Sequence, residues 1–190
     1  MRKFNVALFI VGPLVALTAY LYGLDSIHIP KIGDEPPYLQ IARVTAESGR
    51  MLPLVWEQGI NNTKPPMLFW QGILTSGWGK YWNPWTLRGP IVLYSFAIAL
   101  LIGLFTKSLS GDGRTGLVAG LIYLGFLSTI QHGRPFLTNA PETLFLFLPL
   151  VIMFRADSTT ARNTLFCGFC LGMAALYKSF FLIFVGAFAL

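Results

Sequence analysis

The sequence predicts an all-α protein, a polytopic transmembrane helix bundle whose first extracytoplasmic loop carries two short membrane-surface helices. Three observations predict it. The 190 residues are 54% hydrophobic and only 12% charged, with a mean hydropathy of +0.61, whereas a soluble domain carries about 25% charged residues. Long apolar runs recur along the chain, divided by short polar turns. When these runs are threaded alternately across a bilayer, Lys107, Arg114, Arg155 and Arg162 of the short turns fall on one side, as the positive-inside rule favours.

The first run, 4–24, follows Arg2 and Lys3. It matches the roughly 20 residues a bilayer core needs. It exceeds the apolar region of about 7–15 residues in a signal peptide and ends in Tyr20, Leu21 and Tyr22 rather than small residues. A retained helix with a cytoplasmic N-terminus is expected. Residues 25–86 are the most polar part and read as an outer loop. Its first helix is expected from about Pro36 to Ser48. Tyr38, Ile41, Ala42 and Thr45 share one face, Pro36 and Pro37 suit a first turn, and Gly49 suits a C-terminal cap. The second is expected from Pro65 and Pro66 through Met67, Leu68, Trp70, Ile73 and Leu74. Trp78, Tyr81, Trp82 and Trp85 then form a headgroup-boundary cluster. Further spans are expected at about 87–106, 115–131, 142–155 and 164–190, the last interrupted by Lys178. Lys107, Arg114, Arg155 and Arg162 then occupy cytoplasmic turns, and Gln131–Pro141 faces outside.

The net charge of +6 comes from 14 Lys and Arg against 8 Asp and Glu. No basic stripe lies on a polar helix, so nucleic acid is not an expected partner. Cys167 and Cys170 stand in an apolar stretch without His or further Cys and read as small packing residues rather than a metal or redox pair. The sequence stops inside the apolar run Ser179–Leu190 with no polar tail, which predicts further chain beyond it. There is no P-loop, nucleophile elbow or Cys/His metal signature.

Four constellations can carry chemistry. In Gly33-Asp34-Glu35-Pro36-Pro37-Tyr38, a carboxylate at the membrane boundary can serve as a general base; taken alone, Asp34 reads better as the cap of the following helix. Lys64 stands directly before the Pro65 helix start, where backbone N–H groups attract anions, a site suited to phosphate; the alternative is a snorkelling lysine. Asn61-Asn62-Thr63 is also a glycosylation sequon. In the turn from His132 to Glu142, His132 and Arg134 can bind phosphate, and Glu142 can bind a metal or cap the next helix; each also reads as a solvated loop residue. Lys178 is an ionisable residue inside an apolar run, facing either a cavity or a surface turn.

Together these motifs resemble the GT-C superfamily of membrane glycosyltransferases, nearest to the lipid A aminoarabinose transferases and the bacterial proteins grouped with protein O-mannosyltransferases. Asp34-Glu35 followed by Tyr38 looks like that family's acidic pair and aromatic, and Lys64-Pro65-Pro66-Met67 with Trp70 looks like its Lys-Pro-Pro-Leu segment. The resemblance covers the whole chain as the N-terminal portion of a typical member. It implies catalytic roles for Asp34 and Glu35, with Asp34 activating the acceptor. It implies a sugar on a polyprenyl phosphate as donor, with Lys64, Arg134 and Lys178 near its phosphate and inversion at the sugar. Tyr38, Trp70, Asn139 and Glu142 would contact the acceptor or the loops. The acceptor would be a lipid, glycan or protein at the outer face of a bacterial inner membrane, lipid A modification being one such process. The family often has Thr-Asp-Xaa-Pro where this chain has Thr138-Asn139-Ala140-Pro141. Asn139 in the acidic position puts a divalent metal, a cofactor the family allows, in question. Competing readings are a transporter or flippase subunit for a lipid-linked anion, using Lys64, Arg134 and Lys178, and an inactive truncated membrane protein.

Overall fold

The computed structural model describes residues 2–26, 33–61, 63–155, 160–181 and 184, and of residues 2–8 the backbone alone. The described residues form eight helices and one two-stranded sheet. Helix α1 (Arg2–Leu21) is the expected first run, with Pro13 inside it. Helix α2 (Glu35–Glu47) carries Pro36 and Pro37 in its first turn, where a missing N–H costs nothing. It buries the expected face of Tyr38, Ile41, Ala42 and Thr45, and Gly49 follows with φ +68. Helix α3 (Met67–Thr75) is the second loop helix.

Between α2 and α3 the chain forms an antiparallel hairpin absent from the expected loop. Strands β1 (Leu54–Trp56) and β2 (Gly59–Asn61) pair Leu54 with Asn61 and Trp56 with Gly59. Gly59 turns the chain at φ +113, a conformation that suits glycine. Thr45 on α2 holds β1 from both sides, its Oγ1 donating to Val55 O at 3.2 Å and accepting from Val55 N at 2.8 Å.

Helix α4 (Pro84–Ser110) starts earlier than position 87. Asn83 caps it by accepting from Thr86 N at 3.0 Å, and Pro84 fits its first turn. Gly111, at φ +71, ends it. Among the described residues α4, with 27 residues, is the helix long and apolar enough to cross a membrane. The apolar part of α1 runs from Phe9 to Leu21.

The run expected at 115–131 is divided. Helix α5 (Gly113–Gly125) stops where Phe126 turns extended (φ −65, ψ 130), and α6 (Leu127–His132) is a separate short helix. Gly125, a poor helix former, stands at the break. At 1.5 Å per residue α5 reaches about 20 Å, short of a bilayer core of about 30 Å. Helix α7 (Asn139–Arg155) has 17 residues, as does α8 (Ala161–Tyr177). The run expected over 164–190 is interrupted at Lys178, where α8 ends; Phe181 and Phe184 are helical again, and positions 182–183 and 185–190 lie outside the described residues. Asp157, in the expected turn between α7 and α8, also lies outside them.

Small residues set the closest helix crossing. A Cβ added at Gly116 would lie 2.4 Å from Gly103 O, and one at Gly120 would lie 2.7 Å from Ala99 O. The α4 and α5 backbones thus touch directly, as membrane helices do at small-residue interfaces. Two apolar clusters complete the packing. One joins α2, β1, α3 and α4 to Phe136, Leu137, Ala140 and Tyr177. The other joins Tyr20 and Leu24, at the end of α1, to Val92, Ala99 and Leu124.

A buried ion pair ties these clusters together. Arg88 on α4 is 7% exposed and Glu35 on α2 is 1% exposed. Arg88 donates to both Glu35 oxygens, Nε at 2.7 Å and Nη2 at 3.0 Å, in the bidentate geometry that suits a guanidinium. Its Nη1 donates to Leu24 O at 2.8 Å and Ser26 O at 3.0 Å. Glu35 Oε1 also accepts from Phe136 N at 2.7 Å. Removing one partner of such a pair leaves an uncompensated buried charge.

Two measurements check this account. Arg88→Met should lower unfolding stability in detergent by about 3–5 kcal/mol, and Arg88→Met combined with Glu35→Leu should be less destabilised than Arg88→Met alone. Gly120→Leu, driven into the α4 backbone, should cost at least the roughly 1–3 kcal/mol of an overpacked core, read as a lower thermal midpoint, whereas Gly89→Ala, whose added Cβ meets nothing within 4 Å, should leave the midpoint nearly unchanged.

Candidate functional site

Residues 30 apart in sequence, Asp34 and Lys64, meet where α2 begins and the hairpin returns. Asp34 occupies the N-cap position of α2, but its own backbone is helical (φ −89, ψ −4) and its side chain makes no capping hydrogen bond. The cap reading of Asp34 is therefore corrected. A helical N-cap residue does not aim its carboxylate at the free N–H groups, and here the carboxylate turns to other partners. Tyr38, one turn on, donates its hydroxyl to Asp34 Oδ2 at 3.1 Å. Lys64 Nζ lies 3.8 Å from the same oxygen and 5.3 Å from the centre of the Tyr38 ring. Burial holds the Tyr38 phenol above its ordinary range, partly offset by Lys64, so it remains a hydrogen-bond donor. The Asp34 side chain is 62% exposed and that of Lys64 39%. Both face solvent at the rim of a packed core, and their ion pair contributes little to stability.

The other side of Lys64 opens on a cavity of about 510 Å³ lined by Leu52, Leu54, Asn61 and Pro66. The hairpin residues Leu54 and Asn61 thus form part of the wall of a space that Lys64 shares. Asn61 is 8% exposed, and its Oδ1 accepts from Thr63 N and Thr63 Oγ1, both at 3.1 Å. A sequon asparagine buried in this way is poorly presented for glycosylation; Asn62, its middle residue, lies outside the described residues. Trp70 donates its indole N–H to Met51 O at 2.8 Å, fastening α3 to the segment that enters the hairpin.

The remaining sequence candidates separate into distinct environments. Glu35 is buried, and its carboxylate is occupied by Arg88 and the Phe136 N–H. Arg134 donates Nε to Tyr20 O at 3.1 Å and Nη2 to Tyr22 O, gripping the carbonyl end of α1. Lys178 is not alone in an apolar run: it caps the C-terminal end of α8 and places Nζ 3.0 Å from Glu142 Oε2 in the first turn of α7. That approach is a charge contact rather than an aligned hydrogen bond, and Oε2 is buried without a hydrogen-bond partner. Asn139, at the start of α7, lines a separate cavity of about 280 Å³ with His132, Ser128 and Thr143. Among the described residues no three His, Cys, Asp or Glu side chains gather closely enough to hold a metal ion. Asn139 supplies a neutral ligand at best.

The residue the sequence reading passed over is Arg88. It lies one residue into an expected span, and an arginine there should have prompted a search for a buried acid. A second omission is Gln71, whose Oε1 accepts from Tyr94 at 2.9 Å and Tyr177 at 2.7 Å. It links α3, α4 and α8 through polar groups scattered in apolar runs.

An uncharacterized protein of Aquifex aeolicus (strain VF5) is 27% identical over 156 residues, which cover 82% of this chain and 30% of that protein. The chain therefore matches less than a third of that relative's length. No solved structure matches it. The family model described as dolichyl-phosphate-mannose-protein mannosyltransferase matches residues 33–190. That match starts at the glycine before Asp34 and runs through the hairpin, Lys64, Arg88 and the Glu142–Lys178 pair, and the chain belongs to this membrane-integral GT-C family.

Proposed function

We propose that this chain is the N-terminal part of a polytopic, inverting glycosyltransferase that takes its sugar from a polyprenyl-phosphate donor at the extracytoplasmic face. The observation that carries the reading is the meeting of Asp34, Tyr38 and Lys64 beside an open cavity. An exposed carboxylate and an exposed cation share one rim, 3.8 Å apart. One can take a proton from an acceptor while the other answers the charge of a departing phosphate.

In this reading Asp34 is the base. Tyr38 holds its Oδ2, leaving Oδ1 toward the acceptor. Lys64 trades its contact with Asp34 for the donor phosphate, and the hairpin cavity receives the rest of the headgroup. The leaving group is a lipid phosphate whose negative charge grows as the glycosidic C–O bond breaks. A cation held at that oxygen lowers the barrier most at the transition state. Glu35 is a positioning residue: through Arg88 and Phe136 it fixes the first turn of α2, from which Asp34 and Tyr38 project. Lys178 and Glu142 form a second acid–base pair, on α8 and α7. Threading α1 outward and α4 inward puts the start of α7 and the end of α8 on the same face as Asp34, with the N-terminus cytoplasmic.

In the full-length protein, Asp34→Asn should lower sugar transfer from a polyprenyl-phosphate donor by about 10²–10⁴-fold, the usual worth of a general base. Lys64→Ala should raise donor KM and lower kcat, and Lys64→Arg should recover part of both. Full transfer activity in Asp34→Asn would remove Asp34 from the base role. Membrane insertion and thermal midpoint should stay close to wild type in all three, because both side chains lie exposed.

A further inference from the structure

We propose that the groove between α1, α4 and α5 is a binding site for an anionic phospholipid, with one acyl chain along the groove and the phosphate on Lys107. The groove encloses about 370 Å³. Leu100 and Leu104 of α4, Leu117 and Leu121 of α5, and Phe9 and Pro13 of α1 line it.

Its shape follows from how α1 leans on the bundle. Gly12 meets Leu121, where an added Cβ would come within 2.6 Å of Leu121 Cδ1. Tyr20 closes the far end, stacking edge-on against Phe96 at 5.3 Å and donating its hydroxyl to Leu124 O at 3.3 Å. At Phe9 and Pro13 α1 borders an open furrow, because α4 and α5 meet there through glycines and leave no ridge. In a membrane-integral protein a furrow with leucine walls excludes water and accepts a hydrocarbon chain.

The charge at the groove's open end selects the headgroup. Lys107 lines the groove, and its stem packs toward Gly116. Both Lys107 and Arg114 are exposed, and among the described residues neither forms an ion pair. The nearby carboxylate of Asp112 is committed to capping α5, accepting from Arg114 N at 3.2 Å and Thr115 N at 3.0 Å. Asp112 stays ionised and its charge acts on Arg114, so the uncompensated positive charge at this end is that of Lys107.

The site is separate from the candidate active site. Lys107 lies 19 residues along α4 from Arg88, about 28 Å at 1.5 Å per residue. A lipid whose phosphate sits on Lys107 cannot reach Lys64, so the occupant is a phospholipid of the opposite leaflet and not the glycosyl donor. The inference rests on the membrane setting of the family, not on the proposed reaction.

The test is native mass spectrometry of the purified full-length protein in detergent, with equimolar phosphatidylglycerol and phosphatidylcholine of matched acyl chains. Wild type should retain phosphatidylglycerol about fivefold over phosphatidylcholine, the preference expected of one interfacial cation. Lys107→Gln should keep a bound lipid but equalise the two, and Lys107→Arg should restore the preference. Leu104→Trp, filling the furrow, should retain neither lipid while keeping wild-type helix content by circular dichroism. No preference in wild type, an undiminished preference in Lys107→Gln, or displacement of phosphatidylglycerol by equimolar polyprenyl phosphate would each overturn the proposal.

Discussion

A single guanidinium, Arg88, decides where four parts of this molecule meet. It satisfies both oxygens of Glu35 and the carbonyls of Leu24 and Ser26, while Glu35 takes the N–H of Phe136. The end of α1, the start of α2, the body of α4 and the segment before α7 are therefore held by one charge network. Charges of this kind are expensive to bury, and a hydrophobic pair of the same volume is often equal or better for stability alone. What a bidentate pair adds is direction. It fixes the angle at which α2 leaves the membrane boundary, and so the orientation of the exposed carboxylate one residue earlier.

That division of labour explains the unlike fates of two adjacent acids. Asp34 and Glu35 are neighbours in sequence, yet one side chain is 62% exposed and the other 2%. A helix turns about 100° per residue, so the first turn of α2 sends one inward to Arg88 and the other outward to Tyr38 and Lys64. The inward acid builds the platform and the outward one is left available. Arg134 works in the same way on the opposite flank, spending its donors on the carbonyl end of α1.

Much of this was legible in the sequence. The face Tyr38, Ile41, Ala42 and Thr45 marked α2 by its spacing, and the paired prolines marked where both loop helices begin. The motif around Asp34 and the one around Lys64 were visible as separate strings, but their contact depends on a hairpin whose strands have three residues each. Strands so short leave no periodicity to detect, and beyond their own pairing β1 is held by Thr45, outside the hairpin. The break at Phe126 was hidden for a different reason: Leu124, Phe126 and Leu127 carry an apolar signal straight across it, and hydropathy cannot see a backbone turn. Lys178 looked isolated because its partner, Glu142, lies 36 positions earlier on another helix.

The hairpin is fastened twice on its entering side. Thr45 clamps Val55 in both directions, and the Trp70 indole holds Met51 just upstream. Immediately after Lys64 come Pro65 and Pro66, which fix their own backbone angles. The backbone beside the cation is thus restricted, and the strand that carries Leu54 in the cavity wall is tied to α2 through Val55. Under the proposed function, a receptacle of this kind discriminates by fit, not by folding around its guest. Changes of guest preference among related chains should then trace to the few side chains along that wall, Leu52, Leu54 and Asn61 among them, without any alteration of the helices behind it.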